Sequence, residues 1–119
     1  MAEFIRDGET LILKLRTAEK LEGVHGDIHV PIASVQSVTV VEDVINAVQG
    51  IKMPGSRIPG VFAMGTFLSG SGTTFAIVHH QNKRGIKVKL RNSHFDALIV
   101  GVDDPEGVIA RLGFGSYPA

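Results

Sequence analysis

The chain has 119 residues, 44% of them hydrophobic and 20% charged, a length that suits one domain burying roughly two-thirds of its unfolded surface. It contains no cysteine, which excludes a disulfide framework, thiolate metal ligands and a cysteine nucleophile. Twelve basic and twelve acidic side chains cancel, so no overall field draws the chain to nucleic acid or to an anionic membrane.

The first ten residues lack the apolar core of a signal peptide. No run approaches the ~18 to 20 apolar residues of a membrane span. The missing cysteines are compatible with a reducing cytosol. We therefore expect a soluble, cytoplasmic protein.

The dominant pattern along the chain is short β-branched runs separated by turn residues about every 8 to 12 positions, which is typical of an antiparallel sandwich or barrel. Alternating leucines predict a first strand at about residues 10–16. Residues 20–24 and 28–32 flank the Gly-Asp pair at 26–27, which favours a tight hairpin between two further strands. Residues 35–41 are apolar on both faces in places, so we expect a fourth strand that is central or covered.

The middle of the chain carries turn and crossing signals. Residues 43–50 predict one short helical turn, with Asp43 as its cap and Gly50 as its stop. The proline- and glycine-rich residues 51–60 predict a rigid crossing that carries the chain from the first sheet to the second.

Four strand signals follow this crossing. Residues 61–68 and 74–79 predict a hairpin. Residues 86–91 alternate apolar and basic side chains, which predicts one face in the core and the other in water. Residues 97–102 are the last predicted strand.

The end of the chain carries the signals of a helix. Asp103 or Asp104 is a candidate N-cap, Pro105 suits the first helical position, and Gly113 suits the position just past the end. The apolar positions between them form a stripe that we expect to pack on the open end or face of the sheet.

These elements sum to about seven antiparallel strands followed by one short helix, an order that favours a small, mainly β barrel closed by a C-terminal α-helix. We expect a single domain, residues 1–119, with an ordered core at about 9–113 and flexible ends at 1–8 and 114–119.

Three segments, VPIASVQSVTVVED, IKMPGSRIPGVFAMGTF and VGVDDPEGVIARL, resemble the bacterial pleckstrin-homology (PH-like) domains. The resemblance spans about residues 28–113. It implies a PH-like fold, a barrel or orthogonal sandwich with sheets of four and three strands and a C-terminal helix as its cap. It also implies a binding function, because members of this family bind lipids, peptides and other proteins, and many form oligomers.

Signals for catalysis are missing from the sequence. Gly55 and Gly60 have the spacing of a phosphate loop, but Val61 and Phe62 stand where a lysine and a serine or threonine are required. No G-x-S-x-G motif is present, and the paired carboxylates before Pro105 are explained as helix caps. We therefore expect a non-enzymatic protein without a cofactor.

The five histidines do not form a metal-binding pattern. In the predicted hairpin His25 and His29 point to opposite sides, His79 and His80 diverge as neighbours in a strand, and His94 lies alone in a loop. We expect surface histidines and no metal site, with a site assembled from distant loops or across subunits as the open alternative.

Basic residues cluster near the predicted strand at 86–91, where every second side chain on one face is spaced ~6.6 to 7 Å apart. They suit an anionic partner, a solvated strand face that guards an edge, or a salt-bridged subunit interface. Two further basic residues lie on the crossing at 51–60. The candidate anion- or partner-binding residues are Lys83, Arg84, Lys87, Lys89, Arg91, Lys52 and Arg57.

Two functional hypotheses follow. The first is a non-catalytic binding or scaffold module that acts through protein-protein contacts and self-associates, because the chain has more apolar side chains than one small barrel readily hides. The second is a peripheral binder of anionic lipid or nucleic acid through the basic strand face. Nucleic acid is disfavoured, since six Phe and one Tyr leave few aromatic side chains to stack on bases.

Overall fold

The computed structural model describes residues 2–23 and 25–114. Within these ranges the chain forms nine β-strands, three α-helices and one short 3-10 turn. The strands are β1 (Glu3–Asp7), β2 (Thr10–Lys14), β3 (Ile28–Pro31), β4 (Val35–Val41), β5 (Ile51–Ile58), β6 (Phe62–Ser69), β7 (Gly72–His79), β8 (Gly85–Leu90) and β9 (Ala97–Gly101). The helices are α1 (Thr17–Gly23), α2 (Val44–Ala47) and α3 (Pro105–Leu112), and the 3-10 turn is Ile32–Ser34.

The strands form a three-stranded sheet, in the order β1-β2-β3, and a six-stranded sheet, in the order β4-β8-β9-β7-β6-β5. The mainly β architecture with a C-terminal helix is confirmed. About seven strands in sheets of four and three were predicted, whereas the described residues form nine strands in sheets of three and six. The prediction that all strands are antiparallel is wrong, because β7 and β9 are parallel. The strand at 35–41, expected to be central or covered, is present at a sheet edge, and Val38 on it is buried in the core.

The strand β9 lies between β8 and β7, although both precede it in the chain. All five of its residues are buried. An apolar run without polar alternation fits only a position with covered faces and neighbours on both sides. The chain therefore leaves a gap between β7 and β8 and fills it with its last strand.

The inner face of the six-stranded sheet packs against the three-stranded sheet and α3 in one core. The cross-strand register places Val38, Val88, Leu98 and Phe75 in one row of this face. Every second side chain of the three-stranded sheet is buried in this core: Phe4, Leu11, Leu13, Ile28 and Val30.

The outer face of the six-stranded sheet carries a second, smaller apolar cluster. Residues 42–50 connect β4 at one edge with β5 at the other and place Val44 and Val48 on this face. The crossing predicted at 51–60 is therefore wrong: the crossing lies at 42–50 and joins two edges of one sheet. Ile51–Ile58 is the edge strand β5, where Pro54 is tolerated because an edge strand has backbone groups that need no partner.

The predicted strand at 20–24 is wrong for residues 20–23, which belong to α1, and residue 24 lies outside the described residues. Thr17–Gly23 is rich in good helix formers. The Arg16 backbone N–H donates to Glu19 Oε1 at 2.8 Å, the bond with which a glutamate at the third helical position caps a first turn. The hairpin at 26–27 is consequently absent, and β3 pairs with β2.

Within the amino terminus that was predicted to be flexible at 1–8, residues 3–7 form the strand β1. Phe4 is buried and β1 pairs with β2 along its length. Arg6 donates to the Leu112 carbonyl oxygen at 3.0 Å, at the C-terminal end of α3 where orphan carbonyls need donors. Phe114 is buried in the same core, and the rest of the predicted flexible tail, 115–119, lies outside the described residues.

The predicted start and end of the C-terminal helix are confirmed. Asp104 is the N-cap and accepts from the Gly107 N–H at 3.1 Å, Pro105 begins the helix, and Gly113 ends it in the left-handed conformation with φ of 81°. The short turn α2 likewise has Asp43 as its N-cap, and it ends before the predicted stop at Gly50.

A substitution at Gly85 can test how closely residues 42–50 approach the outer face of the six-stranded sheet. A β-carbon at this position would meet the Val100 carbonyl oxygen and would lie 2.6 Å from Val44 Cγ1. We expect Gly85→Ala to lower the free energy of unfolding by about 1 to 3 kcal/mol, the usual cost of overpacking. Urea denaturation measures the change.

The matched control is Gly70→Ala, where a β-carbon would meet nothing within 4 Å. Its effect should stay within about 0.5 kcal/mol, as for an ordinary surface change. Equal stability of the two variants would contradict the packing of Val44 on Gly85.

Candidate functional site

Four of the seven candidate basic residues share the outer face of the six-stranded sheet. Lys89 pairs with Ala97, Ala97 with Thr74, Thr74 with Phe67, and Phe67 with Lys52. Because directly paired residues share a face, Lys89 and Lys52 belong to one row that crosses the sheet.

Neighbouring rows place Lys87 and Arg57 on the same face. Lys87 pairs with Ile99, and Arg57 pairs with Ala63. Both partners belong to the outer cluster under residues 42–50. The basic side chains therefore stand on both sides of that segment, two on β8 and two on β5.

The two arginines of the candidate set make structural contacts. Arg57 donates to the carbonyl oxygens of Val48 at 3.2 Å and Gly50 at 3.4 Å, and its guanidinium lies 5.5 Å from the centre of the Phe67 ring. These contacts hold the end of the crossing segment against β5. They leave Arg57 with fewer donors for an outside anion.

Arg84 forms an ion pair with Glu42 at 3.0 Å and another with Glu106. The hydrogen bonds to these two carboxylates raise the pKa of Arg84, and the bond from Arg84 is the main cause that lowers the pKa of Glu106. Arg84 thereby joins the start of β8 to the end of β4 and to the first turn of α3.

The remaining candidates are solvent-facing to different degrees. Lys83 lies in the loop before β8, and Arg91 follows the end of β8, where its backbone N–H donates to the Ser34 carbonyl. Among the described residues, Lys52, Lys87 and Lys89 form no ion pair within 4.0 Å. The available positive charge on the outer face is therefore that of three lysines.

A cleft of about 420 Å³ opens between α1 and the carboxyl ends of β7 and β9. Glu19 and Asn82 in its lining are both more than nine-tenths buried. Glu19 Oε2 accepts from the Ala2 N–H at 2.9 Å, and Asn82 donates to the Asp103 carboxylate. The residues around the cleft are Arg16, Ala18, Glu19, Glu22, Val61, Phe62, Met64, Ile77, Val78, His79, Gln81, Asn82 and Gly101.

The sequence did not indicate this cleft, because its walls come from segments far apart in the chain. The glutamate three residues after Arg16 was the available signal for α1, as half of a capping box. Asn82 has no local pattern, since its partner is 21 residues away.

The histidines differ in part from their predicted positions. The rings of His79 and His80 lie 4.4 Å apart, so the predicted divergence is wrong; His80 follows the last residue of β7 and escapes strand alternation. His25 packs against Phe75 and Phe95 at 5.2 and 5.5 Å. Within residues 2–23 and 25–114, no three His, Asp or Glu side chains come together in a way that suits a metal ion.

An exposed apolar surface runs along β5, β6 and α1, three elements that contact one another. Ile51 pairs with Leu68 in the register, and both side chains are exposed. In the described part of the chain, the exposed large apolar side chains all lie on these elements, with exposed fractions from 44% to 75%. We call them the apolar edge: Leu21, Ile51, Met53, Ile58 and Leu68.

None of the helices in the described ranges has the length and apolar character needed to cross a bilayer. Comparison of the chain with protein-family models, with curated protein sequences and with solved structures finds no match. The candidate sites are therefore the outer-face lysines, the cleft and the apolar edge, each defined by geometry alone.

Asp27 connects α1, which forms one wall of the cleft, to the three-stranded sheet. Its carboxylate accepts from the Leu15 N–H at 2.8 Å and lies 3.6 Å from the Lys20 ammonium. The backbone hydrogen bond, followed by the charge of Lys20, lowers the pKa of Asp27 below the ordinary 3.8. Ionised Asp27 therefore stabilises the fold above pH 3.8, and this contribution is lost as the pH falls through the lower folded-state pKa.

We expect wild type to be more stable than Asp27→Asn at neutral pH, by less than the effect of Gly85→Ala because the site is partly solvated. The difference should shrink below pH 3.8. Urea denaturation across acid and neutral pH measures it, with Asp7→Asn on the exposed surface of β1 as control. A difference that stays constant with pH would contradict this role.

Proposed function

We propose that the protein is a non-catalytic binding module that acts through protein-protein contacts and associates with a second copy of itself. The observation that supports this proposal is the apolar edge, because large exposed apolar side chains gathered on neighbouring elements of a small protein mark interaction surfaces. The PH-like family resemblance of the sequence is part of the same proposal, since it also points to binding rather than catalysis.

A second copy suits the apolar edge better than a charged partner. The cross-strand pair Ile51 and Leu68 carries no charge, and the formal net charge of the whole chain is zero. Two copies therefore bring apolar side chains together without overall repulsion. The neighbouring Lys52 projects from the opposite face of β5, where it pairs with Phe67 in the register.

The contact is proposed to be face to face, through side chains, rather than by adding a strand to β5. The register of β5 shifts between Lys52 and Gly55, and Pro54 in that interval lacks a backbone N–H. Irregularity, proline and basic residues are the devices that keep edge strands from pairing with other chains. Packing of side chains on the inner-face side of β5 and β6 requires no backbone pairing with β5, so the register shift, Pro54 and the basic residues do not hinder it.

The test is the oligomeric state of Ile51→Glu combined with Leu68→Glu. Burying one such side chain contributes about 1.5 to 3 kcal/mol, and each 1.4 kcal/mol is about tenfold in affinity. We expect the dissociation constant of the wild-type oligomer to rise at least about tenfold per charge introduced. Size-exclusion chromatography with light scattering measures it over a concentration series.

The matched control is Ala33→Glu, which adds a charge at an exposed position in the 3-10 turn. It should leave the oligomer intact, and urea denaturation should give similar stability for all variants. A wild type that is strictly monomeric at tens of micromolar would overturn self-association.

A second candidate function is binding to an anionic lipid surface through the outer-face lysines. Lys52, Lys87 and Lys89 share one face, and no described acidic side chain pairs with them. Each lysine close to an anionic membrane contributes about 1 kcal/mol of attraction. Three such residues support weak, salt-sensitive binding.

We expect Lys89→Glu to weaken co-sedimentation with phosphatidylserine vesicles roughly fivefold at low salt, and high salt to weaken the wild type as well. Lys14→Glu on β2 is the charge-matched control, since Lys14 is exposed on the other sheet. A single-stranded oligonucleotide is assayed in parallel. Binding to neither at low salt, or equal losses in both variants, would dismiss this candidate.

A further inference from the structure

The cleft beside α1 has the size and the walls of a small-molecule site. Its volume of about 420 Å³ falls within the ~300 to 1,000 Å³ of ligand pockets. One wall is α1, the floor comes from β6 and β7, and the other wall is formed by Gln81, Asn82 and Gly101.

The floor of the cleft is apolar and partly aromatic. Phe62, Met64 and Ile77 line it. The rings of Phe62 and His79 are nearly parallel, with an interplanar angle of 11° and centroids 6.4 Å apart. Gln81 N–H donates to His79 Nδ1 at 3.3 Å and helps to fix that ring. A flat apolar group can lie against this surface with little loss of hydrogen bonding.

The buried polar side chains on the two walls of the cleft already have hydrogen-bond partners. Glu19 accepts from two backbone N–H groups, one before α1 and one at the start of β1. Asn82 donates to Asp103 from the opposite wall, and its own N–H donates to the His79 carbonyl oxygen. Because these groups are satisfied where they stand, the two walls gain nothing by collapsing onto each other.

The charges around the cleft favour a cation. Arg16 Nε lies 4.0 Å from Glu19 Oε1, so these two charges offset each other. Glu22 is the other acidic residue in the lining, and it forms no ion pair within 4.0 Å with the described residues. Its exposed carboxylate lies at the rim, where water reaches it and a ligand can too.

From this arrangement we infer that the cleft binds a small amphipathic organic cation. An apolar or aromatic body rests on Phe62, Met64 and Ile77, and a primary ammonium group meets the Glu22 carboxylate. No lining residue of the cleft belongs to the apolar edge or to the outer-face lysines, but Phe62 pairs with Ile58 of the apolar edge in the register, so the cleft adjoins the surface proposed for self-association.

The experiment compares three probes with the same phenyl group: phenethylamine, phenethyl alcohol and hydrocinnamate. Backbone amide shifts in ¹H–¹⁵N NMR spectra are followed during each titration. We expect saturable shifts that centre on the cleft, and the amine should bind about three- to fivefold more tightly than the alcohol, as for a partly exposed ion pair. The anion should bind most weakly.

Two variants separate the apolar and the ionic parts of the inference. Glu22→Gln should remove the preference for the amine and leave alcohol binding unchanged, whereas Glu3→Gln on β1 should change neither. Ala18→Phe places a large side chain into the cleft from an exposed position on α1, so all three probes should lose affinity while the fold persists.

The site is overturned if millimolar probe gives no saturable shift or if the shifts lie away from the cleft. Equal affinities for the three probes, insensitive to Glu22→Gln, overturn the preference for a cation. The titrations use the Ile51→Glu, Leu68→Glu variant as well as wild type, so that failure of this site is distinguished from failure of self-association.

Discussion

The burial of β9 on both faces is the constraint on which the rest of the structure depends. Its apolar side chains alternate between the two faces of the six-stranded sheet, so water must be excluded from both. The three-stranded sheet and α3 cover one face, and residues 42–50 cover the other. Gly85 and Gly101 have no side chains in the way, which lets Val44 approach the central strands.

Neither cover extends over the whole six-stranded sheet. At the β5 side, α1 packs over the inner face and leaves apolar side chains of β5 and β6 exposed. Where α1 ends its contact with the sheet, the cleft opens beside the carboxyl ends of β7 and β9. The proposed interaction surfaces thus lie where the layers that protect β9 stop.

Local signals in the sequence were sufficient where the chemistry is local. The alternation in 86–91 identified β8 and the face of Lys87 and Lys89, because strand side chains change sides at every residue. The caps of α3 identified that helix, since Asp104 and Gly113 act within their own turn.

Long-range arrangement was not predictable from such signals. The order of the strands in the six-stranded sheet depends on which strand lies between β7 and β8. The residues of β9 show that this strand is buried, but they do not show with which strands it pairs. Arg84 and Arg57 looked available for an outside anion, but their partners are up to 42 residues away along the chain. The error at 20–23 has a different cause: the glutamate that caps the first turn of α1 is a helix signal, and a search for period-two alternation does not detect it.

The bond from Arg6 to the Leu112 carbonyl spans 106 positions of the sequence, and Arg111 returns a bond to the Phe4 carbonyl at 3.3 Å. The first strand and the last helix therefore complete each other's hydrogen bonds and share one core. During synthesis from the amino terminus, β1 emerges long before its partner helix exists. Its apolar side chains therefore lack part of their packing partners until almost the whole chain has been synthesised. Contacts between residues so far apart raise the contact order of the fold, and folding is slower when contact order is high.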